Sequence, residues 1–361
     1  MYYTMNVANI AWEIMICTYF DTNIRQFLLS YENEGYCRKE STEYIEVSFM
    51  NQTKKLTDGA LWTAIFIVLL LITIFVPVIS ILFIFLLPLP FIIYTYKYNW
   101  KAALLMFVVS LLLSLLFATV ISLPLTVLAG LGGVMIGHAI HMRLTAYETW
   151  ARGAVGFIGG LLFVFLISQL LMGVNWTEEI DTLVDESLKT SQAIMEQAGL
   201  EQSPEQLEIV ENQMNMMKNL LPFGLALSAI VLAFLSQWVS YKFINRLDHK
   251  TFQFPPFRDF QLPVALIWIY FGALIISIIE MDMDSTIFMA VQNIIYMCVL
   301  FLTLQGFSFI FFYAHLKGVS KAFPIIFVIV SLIFPFFLLY LVRIIGIIDL
   351  GFSLRQRLKQ K

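Results

Sequence analysis

Apolar and polar positions in this chain fall into blocks rather than into the alternation of a surface strand or helix. From Ala60 onward, apolar runs cover residues 60–76, 78–96, 102–118, 119–140, 151–172, 220–241, 262–279, 286–314 and 323–348. A run of about 20 apolar residues crosses a hydrocarbon core, and most of these are near that length. A backbone in lipid must satisfy its own hydrogen bonds, so each run is expected to be a helix. The alternating pattern of a membrane barrel is absent. The pattern predicts an all-α polytopic membrane protein with about nine transmembrane helices, the first two forming a tight pair broken at Pro77.

Residues 173–218 interrupt the series with an amphipathic pattern. Asn175, with Glu178 three residues on, has the form of a capping box, and Ile180, Leu183, Val184 and Leu188 follow on one helical face. Gly199 is a stop, and Ser203, Pro204 and Gln206 restart a helix whose apolar face runs through Leu207, Val210, Met214 and Met217. The polar faces are acidic. A two-helix insertion is expected, either a solvated hairpin or one that covers a cavity or docks a partner.

Lysine and arginine in the short loops set the orientation. Lys54 and Lys55, Lys97 and Lys101, Arg143, Lys242 to Arg258, and Lys317 with Lys321 fall on one side if every run crosses once. That side is expected to be cytoplasmic, with the N-terminus, leaving residues 173–218 extracytoplasmic in a bacterial cell membrane. The tail, with Arg355 and Arg357, conflicts with nine crossings. A re-entrant turn near Pro335, a miscounted run or an exception to the rule would each account for it.

Composition narrows the function classes. Of 361 residues, 60% are hydrophobic and 13% charged. Soluble domains carry about 25% charged residues, so this chain has half the supply needed to cover a water-facing surface. A net charge of -3 gives no basic surface for nucleic acid. Cys17, Cys37 and Cys298 are scattered, which supports neither a zinc site nor a disulfide framework.

Residues 1–49 differ from the rest: they mix charge, tyrosine and short apolar pieces. Met50 opens a short basic leader before the first long run, and Glu46-Val47 is encodable by a purine-rich stretch resembling a ribosome-binding site. The expectation is that residues 1–49 are translated upstream sequence and that the natural protein starts at Met50. The remainder divides into a six-helix membrane module, residues 50–246, and a C-terminal module of about three spans, residues 247–361.

Few side chains within the runs carry chemistry. Gly133 and Gly137, and Gly156 and Gly160, stand four apart, a spacing that lets helix backbones approach. They are expected to pack helices, the other reading being room for a ligand. Gln169, Gln237, Gln292, Asn293 and Gln305 are amides inside runs. Either they bond between helices, at roughly 0.6–2 kcal/mol each, or they line a polar site, for which Gln292 and Asn293 are the leading pair, with Gln169 and Gln237. His138 and His141 end the fourth run without further ligands, so no metal is expected. Glu148 and Arg152 read as an interfacial ion pair. No ionisable group is expected at the centre of a span. The loop at residues 254–263 is rich in proline and phenylalanine. Pro256, Phe257 and Arg258 either rest at the lipid interface or dock a cytoplasmic partner protein. No P-loop, GxSxG or HExxH motif occurs, so neither an enzyme nor a cofactor is expected.

Leu56-Thr57-Asp58-Gly59-Ala60, Leu87-Pro88-Leu89-Pro90, Pro256-Phe257-Arg258 with Pro263, Gln305-Gly306 and Gly346-Ile347-Ile348-Asp349 resemble the YybS-like family of bacterial multi-pass membrane proteins over residues 50–352. That family has no established activity. By architecture alone, residues 50–246 are similar to the substrate-binding subunits of energy-coupling-factor transporters, which bind a small molecule and rely on separate ATPases. Two functions follow as expectations: a small-molecule-binding or transport-associated subunit, or a membrane scaffold or regulator of a partner protein.

Overall fold

The structure is a computed structural model that describes residues 33–173, 175–197, 219–279 and 285–359. The chain divides into two units, Met1–Asp58 and Gly59–Lys361. Of residues 1–49, residues 1–32 lie outside the described residues and 33–49 are helical. The helices are α1 (Asn33–Phe75), α2 (Pro77–Ile84), α3 (Leu89–Tyr98), α4 (Trp100–Ala118), α5 (Leu123–His141), α6 (Ala146–Met172) and α7 (Trp176–Gln197). After these come α8 (Leu221–Asp248), α9 (Ala265–Ser277), α10 (Thr286–Leu316), α11 (Ala322–Ile333), α12 (Pro335–Phe352) and α13 (Leu354–Lys359). No strand occurs among the described residues.

The protein is an all-α, multi-pass membrane protein. Among the described residues, seven helices are long and apolar enough to cross a bilayer: Gln52–Phe75, α4, Ser122–His141, Ala146–Leu170, α8, α10 and α12. Three further apolar helices are shorter, Leu82–Tyr98, α9 and α11. The nine expected runs therefore appear as seven long helices and three short ones.

Proline divides two of the runs. Pro77 opens α2 and Pro88 immediately precedes α3. Pro335 opens α12 directly after α11, where Phe334 takes φ -116 and ψ 65. A proline has no N–H to continue the helical ladder and is tolerated in a first turn, so each break falls where the chain can restart.

Other helix ends are set by single side chains. Asn99, at φ 72, accepts from Trp100 N at 2.6 Å and opens α4. Thr145 and Glu148 form a reciprocal capping box at the start of α6, which Gly173 ends at φ 64. The close partners of Glu148 are therefore in the box, and Arg152 acts on it only through its charge. The Glu148 carboxylate takes the Thr145 N–H at 3.0 Å and the Thr145 hydroxyl at 2.9 Å, while Arg152 reaches Met142 Sδ. Helix α7 is the first helix of the expected insertion; residues 198–218, where the second is expected, lie outside the described residues. Trp176 fixes the start of α7 by donating to Ser168 Oγ at 2.6 Å and stacking on Phe165.

The short helix α3 is the hub of the first half. Residues 89–95 are all buried, and they join a cluster with α1, α4 and α5 to another with α5, α6 and α8. A third cluster joins Ile267 and Tyr270 of α9, Cys298 and Leu302 of α10, and Leu350 of α12. Outer faces are covered with large apolar side chains, including Leu116 at 75% and Leu170 at 78% exposed. Water would penalise such a surface, whereas lipid accepts it. Lipid also removes the hydrophobic drive between helices, leaving close packing and polar bonds to hold the bundle together.

Candidate functional site: a buried polar latch at the basic end

Gln305 and Ser308 lie three apart on α10 and are fully buried. Asp349, also fully buried, projects from the last turn of α12. Ser353 then takes φ 50, and the turn into α13 sends Arg355 back toward α10. Gln305 Nε2 donates to Asp349 Oδ2 at 2.5 Å, and Arg355 Nε donates to the same oxygen at 2.9 Å. Arg355 Nη1 reaches the Arg258 carbonyl at 2.8 Å, Nη2 reaches Ser308 Oγ at 3.1 Å, and the guanidinium lies over the Phe312 ring.

The same groups hold the loop between α8 and α9. Gln305 Oε1 accepts from Leu262 N at 3.0 Å, and the Ser308 hydroxyl is 2.8 Å from both the Phe257 and Phe260 carbonyls. One carboxylate, one guanidinium, one amide and one hydroxyl thus join α10, α12, α13 and the loop. Asp349 Oδ2 takes two donors while its Oδ1 is buried without one, and the arrangement fixes geometry through the bonds it makes.

Backbone contact beside the latch fixes the direction of α12. Gly346 meets the Leu302 carbonyl and Gly306 N, and Gly306 meets the Val342 carbonyl. Asp349 then meets Gln305, and Arg355 meets Ser308 and Phe312. Gly346 lies level with Leu302 and Gly306, whereas Arg355, just beyond α12, meets Ser308 and Phe312, so α12 ends toward the end of α10 and the two helices run in the same direction. The tail and the loop at residues 249–263 therefore share one end of the bundle. Among the alternatives left open by the charges, the last run turns back at Phe334 and Pro335. Its first half, α11, has 12 residues, about 18 Å of helix, which is short of a 30 Å core.

The loops at this end also meet one another. His141 Nδ1 lies 2.8 Å from the Tyr96 carbonyl. A carbonyl only accepts, so Nδ1 carries the proton. Tyr96 packs edge-on against Phe252, which stacks on Tyr241; Tyr147 and Trp150 contact Phe260, and Phe234 contacts Phe254. Asn245 holds both ends of Phe252, accepting from its N–H at 2.8 Å and donating to its carbonyl at 2.7 Å. These rings form an aromatic layer under the basic loops.

The amides singled out from the sequence are not brought together. Gln237 is fully buried and donates to the Ala146 carbonyl at 2.9 Å and to Tyr241 Oη at 2.8 Å. Asn293 lies toward the other end, where it receives the Phe223 N–H at 2.8 Å and donates to the Asn219 carbonyl at 2.7 Å. It ties α10 to the beginning of α8. Gln292 is partly buried beside it, and Gln169 is exposed on α6. Asn293→Ala would leave the Phe223 N–H without its bond, and about 1–3 kcal/mol of stability should be lost. Unfolding in a denaturing-detergent titration measures that loss.

The four packing glycines face neighbouring backbones. A Cβ at Gly133 would stand 2.8 Å from the Pro88 carbonyl, and one at Gly137 would stand 2.6 Å from the Ile92 carbonyl. Gly156 and Gly160 face Leu131 and Leu128 in the same way, at 2.9 Å. Real Cβ atoms essentially never come that close. Pro256 and Phe257 are exposed and Arg258 partly so; Phe257 packs on Phe260 and Phe311. Among the described residues no group of three metal-ligating side chains occurs. An apolar cavity of about 330 Å³ lies between α6 and α8, lined by Leu161, Phe165, Pro222 and Leu225 among others.

Sequence reading named Gln305 as an amide and Asp349 as part of a family motif. It gave no role to Ser308 or to a buried Arg355. The one available signal was a basic tail on the wrong side of a nine-span count.

No solved structure matches the chain. The uncharacterized protein YybS of Bacillus subtilis (strain 168) is 28% identical to it over 311 residues, covering 86% of this chain and 100% of that protein. The model of a family described as predicted membrane protein (DUF2232) matches residues 64–350. That match takes in the broken second run, the glycine-packed helices and the Gln305 and Asp349 arms of the latch. The chain therefore belongs to the predicted membrane protein (DUF2232) family.

Proposed function

We propose that the protein is a membrane scaffold or regulator, without catalysis of its own, that holds a partner protein at its basic end. The observation that carries this reading is the use made of the buried amides. Gln237, Asn293 and Gln305 each bond to the backbone of another helix or loop, which supports a structural use over a polar ligand site. The loop that Gln305 secures presents Pro255, Pro256 and Phe257 outward. On this reading the basic end is cytoplasmic, in keeping with its lysines and arginines.

A second reading, a small-molecule-binding or transport-associated subunit, is favoured by one feature. The second apolar run is set off from the first at Pro77 and is itself broken at Pro88, and interrupted helices often mark substrate sites in transporters.

Native mass spectrometry of the protein, purified from its own membrane in mild detergent, separates the two. The scaffold reading expects a retained protein. Arg258→Glu should lower its yield at least ten-fold with unchanged thermal stability, because the latch uses the Arg258 carbonyl and not its side chain. A retained small molecule without a protein would favour the transport reading instead.

A further inference from the structure

Arg343 is the ninth of the eighteen residues of α12. Helix α12 crosses α10 at Gly346, opposite Leu302 and Gly306, which places Arg343 beside the middle of the 31-residue α10. This corrects the expectation that no ionisable residue lies at the centre of a span. That expectation took the last run as continuous and put Arg343 near its end. Eight residues, about 12 Å of helix, separate Arg343 from the start of α12, farther than its side chain extends.

The guanidinium lies 4.9 Å from the Tyr340 ring centroid, its one interaction among the described residues. The chain has no carboxylate to spare at this depth among the described residues. Within the candidate spans, Asp58 is engaged, Glu148 caps α6, Asp248 ends α8 and Asp349 is held by Gln305 and Arg355. Intramembrane charges are rare and pair with a counter-charge. The neighbouring surface is aromatic and open: Phe336 is 98% exposed, Phe337 69% and Tyr340 54%. Aromatic residues with an arginine are typical anchors of a protein interface.

We propose that Arg343 is half of an intramembrane ion pair whose other half is an Asp or Glu on a transmembrane helix of a partner protein, seated on the stripe of Phe336, Phe337 and Tyr340. A second copy of this chain would offer like charge at this depth. Lipid phosphates lie about 15 Å from the midplane. The inference shares with the scaffold reading the existence of a partner, but it uses a different surface.

The test places a photo-crosslinking benzoylphenylalanine at Phe336 of the full chain in its own membranes. The expected product is an adduct with an integral membrane protein, through an apolar helix that contains Asp or Glu. Arg343→Glu should lower the adduct at least ten-fold, Arg343→Lys should keep most of it, and reversing the partner's carboxylate to Arg should restore the adduct with Arg343→Glu. If Arg343→Glu is not recovered folded, Arg343→Gln at matched thermal stability replaces it and should also lose the adduct. An adduct with lipid or a second copy alone, a partner helix without a carboxylate, or a yield indifferent to residue 343 would overturn the proposal. Arg258→Glu should leave this adduct intact, so failure here and failure of the loop reading are separate results.

Discussion

Arg355→Ala is expected to destabilise the protein by about 3–5 kcal/mol, the range for breaking a buried ion pair from one side. Asp349 has no exposed surface, and it would keep a single partner, Gln305. The Arg258 carbonyl and Ser308 hydroxyl would also lose a donor. Most of the loss comes from the stranded carboxylate rather than from the attraction, so replacing both partners with leucine should recover a large part of it. A double-mutant cycle read by denaturing-detergent titration measures the coupling. Limited proteolysis should cut near Ser353 in Arg355→Ala before it does so in the parent. A loss below about 1 kcal/mol, within the range of an exposed pair, would mean that the pair is solvated.

The second large effect is expected at the α10–α12 crossing. A methyl group at Gly346 would enter the space of the Leu302 carbonyl, and one at Gly306 that of the Val342 carbonyl. Flexible side chains can yield to an added methyl, whereas a helix backbone moves only as a unit. Gly346→Ala or Gly306→Ala should therefore destabilise by about 3 kcal/mol or more, at or above the upper range for overpacking. At Gly272 an added methyl would meet nothing within 4 Å, so Gly272→Ala should stay within about 0.5 kcal/mol of the parent. Equal behaviour of the three variants would contradict the backbone contact.

The apolar runs were readable because lipid demands long, nearly uncharged segments, and the loop charges were readable because they lie close to the helix ends. The break at Phe334 was harder to see. Pro335 marks it, but no charged residue accompanies the turn, and a proline is also tolerated inside a membrane helix. Missing that break moved Arg343 from the middle of a helix to the end of a run. The latch was hidden for another reason. Gln305 and Asp349 are 44 positions apart and Arg258 and Arg355 are 97 apart, and no local pattern links them. Gly306 stands alone on α10, and Gly346 and Gly351 are five apart on α12, so neither helix has the four-residue spacing that exposed the α5 and α6 pairs.

On the proposed reading the tail and the α8–α9 loop form one basic end on the cytoplasmic side. That placement is tested most directly by giving a chain whose cysteines have been replaced a single cysteine at Lys250 or at Gln356, both exposed positions, and labelling intact cells with a membrane-impermeant maleimide. Both cysteines should stay unlabelled until the cells are opened and then react. Labelling of either one in intact cells would contradict the account, and labelling of only one would also separate the tail from the loop that the latch joins to it.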